Sequence, residues 1–181
     1  MASRGKTVAG TDGTDHTFRE KVASQYRESA KLKRNLRTMF MLLTIPLAML
    51  AIHVSKLNDN IKLTNQVLPK PEPWEYVYLV SGIFNLIGYS SLSRNNTQRL
   101  TIYFYGTAMA AFGGIVWGAV AHAREVEAFV MRGQVKAFLF RQPLVILTYL
   151  FLALSMQLNI FAINYARSLL KAWKAKGFKT D

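Results

Sequence analysis

The chain has 181 residues, 51% of them hydrophobic, with 23 Lys and Arg against 10 Asp and Glu and a net charge of +13. It contains no cysteine, which excludes disulfides, thiolate metal sites, a catalytic thiol, prenylation and palmitoylation. Charge is expelled from four blocks and concentrated between them, which excludes an ordinary water-soluble domain and predicts an all-α polytopic membrane protein: four transmembrane helices in a bundle with short cytoplasmic tails.

Residues 1–37 form a basic segment without an apolar region and small-residue cleavage site after Met1, so no cleaved signal peptide is expected. Ala2 in place of glycine removes a myristoylation reading. Thr11-Asp12-Gly13-Thr14-Asp15 is turn-forming, and Thr17 with Glu20 fits a capping box opening a helix that runs from about Thr17 to Arg37 and into the first span. Phe18, Val22, Tyr26 and Ser29 give that helix a mildly apolar edge. Lys31, Lys33, Arg34 and Arg37 crowd its end, where each basic residue attracts anionic lipid by about 1 kcal/mol. A plain topology signal accounts for the same charges, and the two readings are compatible.

The four spans are 38–55, 76–93, 100–123 and 142–166, within a membrane domain of 38–166; 167–181 is a second basic tail. The first contains Pro46, which removes a helix hydrogen bond; Thr44 is placed to satisfy the freed carbonyl. His53 near its end reads as an interfacial side chain. Pro69, Pro71 and Pro73 keep the first loop extended, and Trp74 and Tyr76 open the second span as interface anchors, with Trp173 in the same role in the tail. Ser81, Asn85 and Tyr89 recur every fourth residue, a polar face expected to point at other helices. In the third span Gly106, Ala110, Gly114 and Gly118 make a groove of small residues suited to close helix contact, with a neighbour in the chain or with another copy. His122 continues that row as a packing histidine. Val126, Phe129, Val130 and Phe138 among charged residues predict a short amphipathic helix in the third loop. Gln157, Asn159 and Asn164 of the fourth span are amides expected to bond across helices.

Basic residues set the orientation. The N-terminal segment, second loop and C-terminal tail hold sixteen Lys and Arg, against seven in the first and third loops. Positive residues stay cytoplasmic, so both termini are expected there. Asn95-Asn96-Thr97, the only N-x-Ser/Thr sequon, then falls in a cytoplasmic loop and carries no glycan.

No charged residue lies inside a span, which argues against ion pumping and most intramembrane chemistry. The three histidines, at 16, 53 and 122, lack metal-ligand spacing, and neither a phosphate-binding glycine loop nor G-x-S-x-G occurs. No catalytic, cofactor or metal residue is expected. The basic charge flanks spans, so it is assigned to lipid headgroups and topology rather than to nucleic acid.

The opening Met1-Ala2-Ser3-Arg4-Gly5, the run Ala9-Gly10-Thr11-Asp12-Gly13-Thr14-Asp15, and Arg19, Val22-Ala23 and Tyr26 resemble the jagunal family. So do Trp74-Glu75-Tyr76, Arg94-Asn95 and Leu170-Lys171-Ala172-Trp173. The resemblance implies a non-enzymatic endoplasmic reticulum membrane protein that acts in reticulum organisation and vesicle-mediated secretory traffic. Its expected partners are the bilayer, anionic lipids, coat or cytoskeletal proteins at the cytoplasmic tails, and a second copy of the chain. Lysines 176 and 179 do not make the usual lysine-based retrieval signal. The alternative is a small channel or lipid-handling protein built on the polar faces of spans two and four.

Overall fold

A computed structural model describes residues 14–55, 69–139 and 141–175. Helix α1 covers Thr14–Val54 without a break, 41 residues with Pro46 inside. At 1.5 Å per residue that is about 60 Å, twice the hydrocarbon thickness of a bilayer. The helix therefore begins before Thr17, whose side chain lies outside the described residues. Near Pro46 the hydroxyl of Thr44 donates to the carbonyl of Met41 at 2.6 Å. The carbonyl that proline frees is that of Leu42, so Thr44 does not satisfy it.

Helix α2, Pro73–Arg94, follows the extended Glu72, with Pro73 in the first turn, where its missing N–H costs nothing. It ends at Asn95, whose φ of 51° is left-handed and whose N–H reaches the carbonyl of Ser91. Asn96 then opens α3, Thr97–Ala121, by accepting from the N–H of Arg99 at 2.9 Å. Both asparagines of the sequon thus have capping work in a tight turn between helices.

A short helix α4, Ala123–Arg132, buries none of its residues. It closes at Gly133 with φ 63°, where the N–H groups of Gly133 and Gln134 reach Phe129 and Ala128. A two-residue antiparallel ladder joins β1, Phe138–Leu139, to β2, Gln142–Pro143, with Phe138 opposite Pro143. Helix α5, Leu144–Ala175, is 32 residues long.

The architecture is all-α, four long helices with α4 between the third and the last, and the chain is a multi-pass membrane protein. Among the described residues, Tyr26–Val54, Thr97–Arg132 and Leu144–Lys174 are each long and apolar enough to cross a membrane on their own. Helix α2 is less apolar because its inward face carries Ser81, Asn85, Gly88 and Ser91, all buried. Its polarity belongs to the bundle interior and its outward face, with Val80, Ile83 and Leu86, is exposed.

Two apolar clusters hold the bundle. At the end bearing the tails, Leu36, Phe40 and Leu43 of α1 pack with Leu92, Leu100, Tyr103, Ala162, Ala166, Leu169 and Trp173. At the opposite end, Leu50 packs with Trp74, Tyr78, Ala111, Ile115 and Leu152. Trp74 and Trp173 are thus core residues, 4% and 1% exposed, not rings offered to the lipid interface. Of the three expected anchors only Tyr76, 51% exposed, is presented outward.

Candidate functional site

Four polar or close-packed features are candidates for function. The first is the row of small residues on α3, which runs along α2. A Cβ on Gly118 would stand 2.8 Å from the Trp74 ring, and one on Gly114 would stand 2.9 Å from the backbone nitrogen of Tyr78. A Cβ on Gly106 would collide with the Phe84 ring, and Ala110 is buried in the same row. The groove is therefore filled by the chain's own preceding helix, and is not available to another copy.

The second is the tail end. Helices α1 and α5 pack side by side at the level of their basic residues, joined through Leu36, Leu169 and Trp173. Lys33 lies with its Nζ 5.7 Å above the Trp173 ring, and the Arg37 guanidinium lies 5.8 Å from the Tyr89 ring. Lys31, Arg34 and Arg37 are exposed. Among the described residues, the basic ends of α1 and α5 thus form a single paired-helix arm with an apolar seam and a cationic surface.

The third is the opposite end, where polar side chains from several elements meet. His53 at the end of α1 places Nδ1 2.8 Å from Glu75 Oε2 and Nε2 3.1 Å from the Pro69 carbonyl. His122 lies between two carboxylates, with Nδ1 3.2 Å from Glu125 Oε2 and Nε2 3.5 Å from Glu72 Oε2. Glu72 also accepts from the Trp74 indole at 3.0 Å, and Lys136 donates to Glu125 at 2.7 Å. That lysine hydrogen bond, aided by His122, holds the Glu125 carboxyl below its ordinary range against the opposing effect of burial. Among the described residues no group of three or more side chains is arranged to hold a metal ion. In the sequence each histidine stands alone, Glu75 figures only within Trp74-Glu75-Tyr76, and Glu72 carries no assignment. The signal passed over was acidic residues beside a prolyl run that must return to the end of α1.

The fourth is a polar layer at mid-depth. Ser81 and Asn85 of α2, Thr107 of α3, and Ser155 and Asn159 of α5 are all buried. Asn159 Nδ2 donates to the Ser155 carbonyl at 2.8 Å and lies 3.4 Å from the Tyr78 hydroxyl. Both amide atoms of Asn85, the Thr107 hydroxyl and the Tyr103 hydroxyl are buried without a protein partner. In α2, α3 and α5 this layer falls between the residues of the two apolar clusters. Tyr89 does not join it. A spacing of four advances 40° per step on an α-helix, so Tyr89 has turned away from Ser81 and is 44% exposed. Of the fourth-span amides only Asn159 is inside; Gln157 and Asn164 face outward.

Comparison with known proteins places this architecture. The family model described as "Jagunal, ER re-organisation during oogenesis" matches residues 1–177. The chain is 32% identical over 174 residues to Protein jagunal homolog 1-B of Danio rerio, covering 96% of this chain and 94% of the relative. It is 30% identical over 176 residues to Protein jagunal homolog 1 of Homo sapiens, with the same two coverages. To Protein jagunal of Drosophila melanogaster it is 28% identical over 190 residues, covering 97% and 96%. The family is not a known enzyme family. With a match across nearly its whole length, this multi-pass membrane chain belongs to the jagunal family.

Proposed function

We propose that the chain is a non-enzymatic protein of the endoplasmic reticulum membrane that acts in reticulum organisation and in vesicle-mediated secretory traffic. Both termini face the cytosol, so that 1–37 and 167–181 present one binding element there. The observation that carries this reading is the paired arm: Trp173, 1% exposed, is packed in the same cluster as Leu36, while Lys31, Arg34 and Arg37 remain on the outside. A rigid, cationic, two-helix projection at a membrane surface suits anionic lipid headgroups and acidic faces of coat or cytoskeletal proteins. The family description supports the reticulum-organisation part of this reading, and the excess of basic residues in both tails supports the orientation.

The test is complementation. In cells lacking the protein, the wild-type chain should restore reticulum morphology and secretion, and the Trp173→Ala chain should reach the membrane but restore neither fully. Protease added outside sealed reticulum vesicles should remove tags from both ends. Protection of either tag, or full rescue by a chain whose exposed arm residues Lys31, Arg34 and Arg37 are changed to Gln, overturns the reading.

The mid-depth polar layer favours a second reading, a small channel or lipid-handling protein. Against an open pore, the layer is capped on one side by Trp74, Ile115 and Leu152 and on the other by Phe40, Leu92 and Leu100. Reproducible conductance or lipid transfer by purified protein in liposomes, abolished by Asn85→Leu, would displace the adaptor reading.

A further inference from the structure

We propose that the outer face of α5 is the interface of a parallel homodimer, in which Gln157 and Asn164 of one copy hydrogen-bond to the same residues of a second.

Helix α5 has two opposed faces. Val145, Leu152, Ser155, Asn159, Ala162, Ala166, Leu169 and Trp173 point into the bundle. The opposite side carries an exposed stripe of Leu150, Ala153, Gln157, Ile160, Asn164 and Lys171. From Leu150 to Asn164 the steps alternate three and four, and Lys171 follows one heptad later, which is the spacing of a left-handed helix pair. Gln157 and Asn164 are seven residues apart and so take the same position in successive repeats. Among the described residues neither amide has a hydrogen-bond partner.

Hydrocarbon does not accept or donate hydrogen bonds, so an amide facing it keeps an unmet demand that a neighbouring helix can meet. A shallow cleft lined by Ala153, Met156, Gln157, Ile160 and Phe161 lies beside the first amide. The small side chain of Ala153, one turn before Gln157, leaves room there for a close approach.

The occupant is a second copy for a geometric reason. Two copies inserted with the same topology are related by a two-fold axis along the membrane normal. Each seam residue then meets its own counterpart at equal depth. A carboxamide carries both donors and an acceptor, so it is complementary to itself. A second copy brings two amides at the right depths and separation by symmetry alone. The small-residue groove of α3 does not compete for this role, because α2 already fills it.

The absence of cysteine makes the experiment clean. Single cysteines are placed in the full-length chain, in membranes, at Leu150, Ala153, Ile160 and Asn164 on the seam, and at Leu154 and Met109 away from it. Oxidation should give cross-linked dimers at the seam positions, at least tenfold more than at the other two. Separately, the mass of purified protein in detergent should be that of a dimer, and Gln157→Leu with Asn164→Leu should weaken association at least tenfold without lowering the Tm of the monomer. Both substitutions are on an exposed face, so the bundle core is untouched, and the cysteine scan stands independently of them. A monomeric wild type, cross-linking without positional preference, an unweakened dimer of the double variant, or seam cross-links only to a different protein would each overturn the proposal.

Discussion

His53 Nδ1 stands 2.8 Å from Glu75 Oε2, and this one contact ties the far end of α1 to the first turn of α2. Glu75 is 6% exposed, and a carboxylate that deep is costly without a partner. The Pro69 carbonyl, 3.1 Å from Nε2, gives the ring an oxygen at its other nitrogen as well. The pair therefore clamps the prolyl connection as well as the two helices.

Removing the histidine should strand the carboxylate. His53→Leu is expected to destabilise the bundle by about 3 kcal/mol, the usual scale for breaking a buried pair by deleting one partner. Glu75→Gln keeps an acceptor for the ring and should cost well under half as much. Thermal unfolding in detergent measures both. Equal small losses would mean that the clamp contributes little.

The α2–α3 seam makes a prediction from two adjacent glycines. A Cβ on Gly114 meets the Tyr78 backbone at 2.9 Å, whereas a Cβ on Gly113 meets nothing within 4 Å. Backbone cannot move aside as a flexible side chain can. Gly114→Ala should therefore cost about 1–3 kcal/mol and Gly114→Ile should abolish folded protein. Gly113→Ala should be neutral or slightly stabilising, since alanine is the better helix former. Matching Tm values for the two alanine variants would show that α2 and α3 do not approach closely at Gly114.

At the loop end, Lys136 holds the Glu125 carboxyl below its ordinary value of 4.5. A folded-state pKa that is depressed contributes stability at pH above the unfolded value, and that stability is lost as pH falls through the folded one. The contact should thus be intact from neutral pH down to about pH 5 and fail only in more acid solution. Lys136→Ala should move the Glu125 titration upward toward the ordinary value, as read by the carboxyl carbon shift in NMR. An unchanged titration would remove Lys136 as the cause.

What could be read in advance followed from periodicity, and what could not followed from long-range packing. Charge-free blocks located the helices, the prolyl run located the start of α2, and Val126, Phe129 and Val130 located the amphipathic helix, whereas Phe138 falls beyond its end in β1. The small residues of α3 announced a contact but not its partner, because four-residue spacing looks the same whether the facing helix is Trp74–Phe84 of this chain or another copy. Trp173 was misplaced for a related reason. The extension of α1 beyond the membrane is legible from Thr17 to Arg37, but that Trp173 of α5 packs against it is not, so a tryptophan among lysines reads as an interface anchor. His53 and Glu75 lie 22 residues apart in the sequence, so only the tertiary fold unites them.

Asn85 offers the sharpest separation between the two functional readings. Both atoms of its amide are buried without a protein partner at the middle of the bundle. If the layer is structural, Asn85→Leu replaces an unmet polar demand with an apolar group of similar size. Such a change is nearly neutral or stabilising, by up to about 1–3 kcal/mol when a buried group is left unsatisfied. The variant should then fold, melt at the wild-type Tm or above, and support reticulum organisation. If instead the amide handles water, ions or lipid headgroups, the same variant should still fold and yet lose the cellular function. Stability and complementation must be measured on one preparation for that reason. A stable Asn85→Leu protein that fails to complement transfers the functional centre from the cytoplasmic arm to the polar layer, and one that complements fully leaves the arm as the working part.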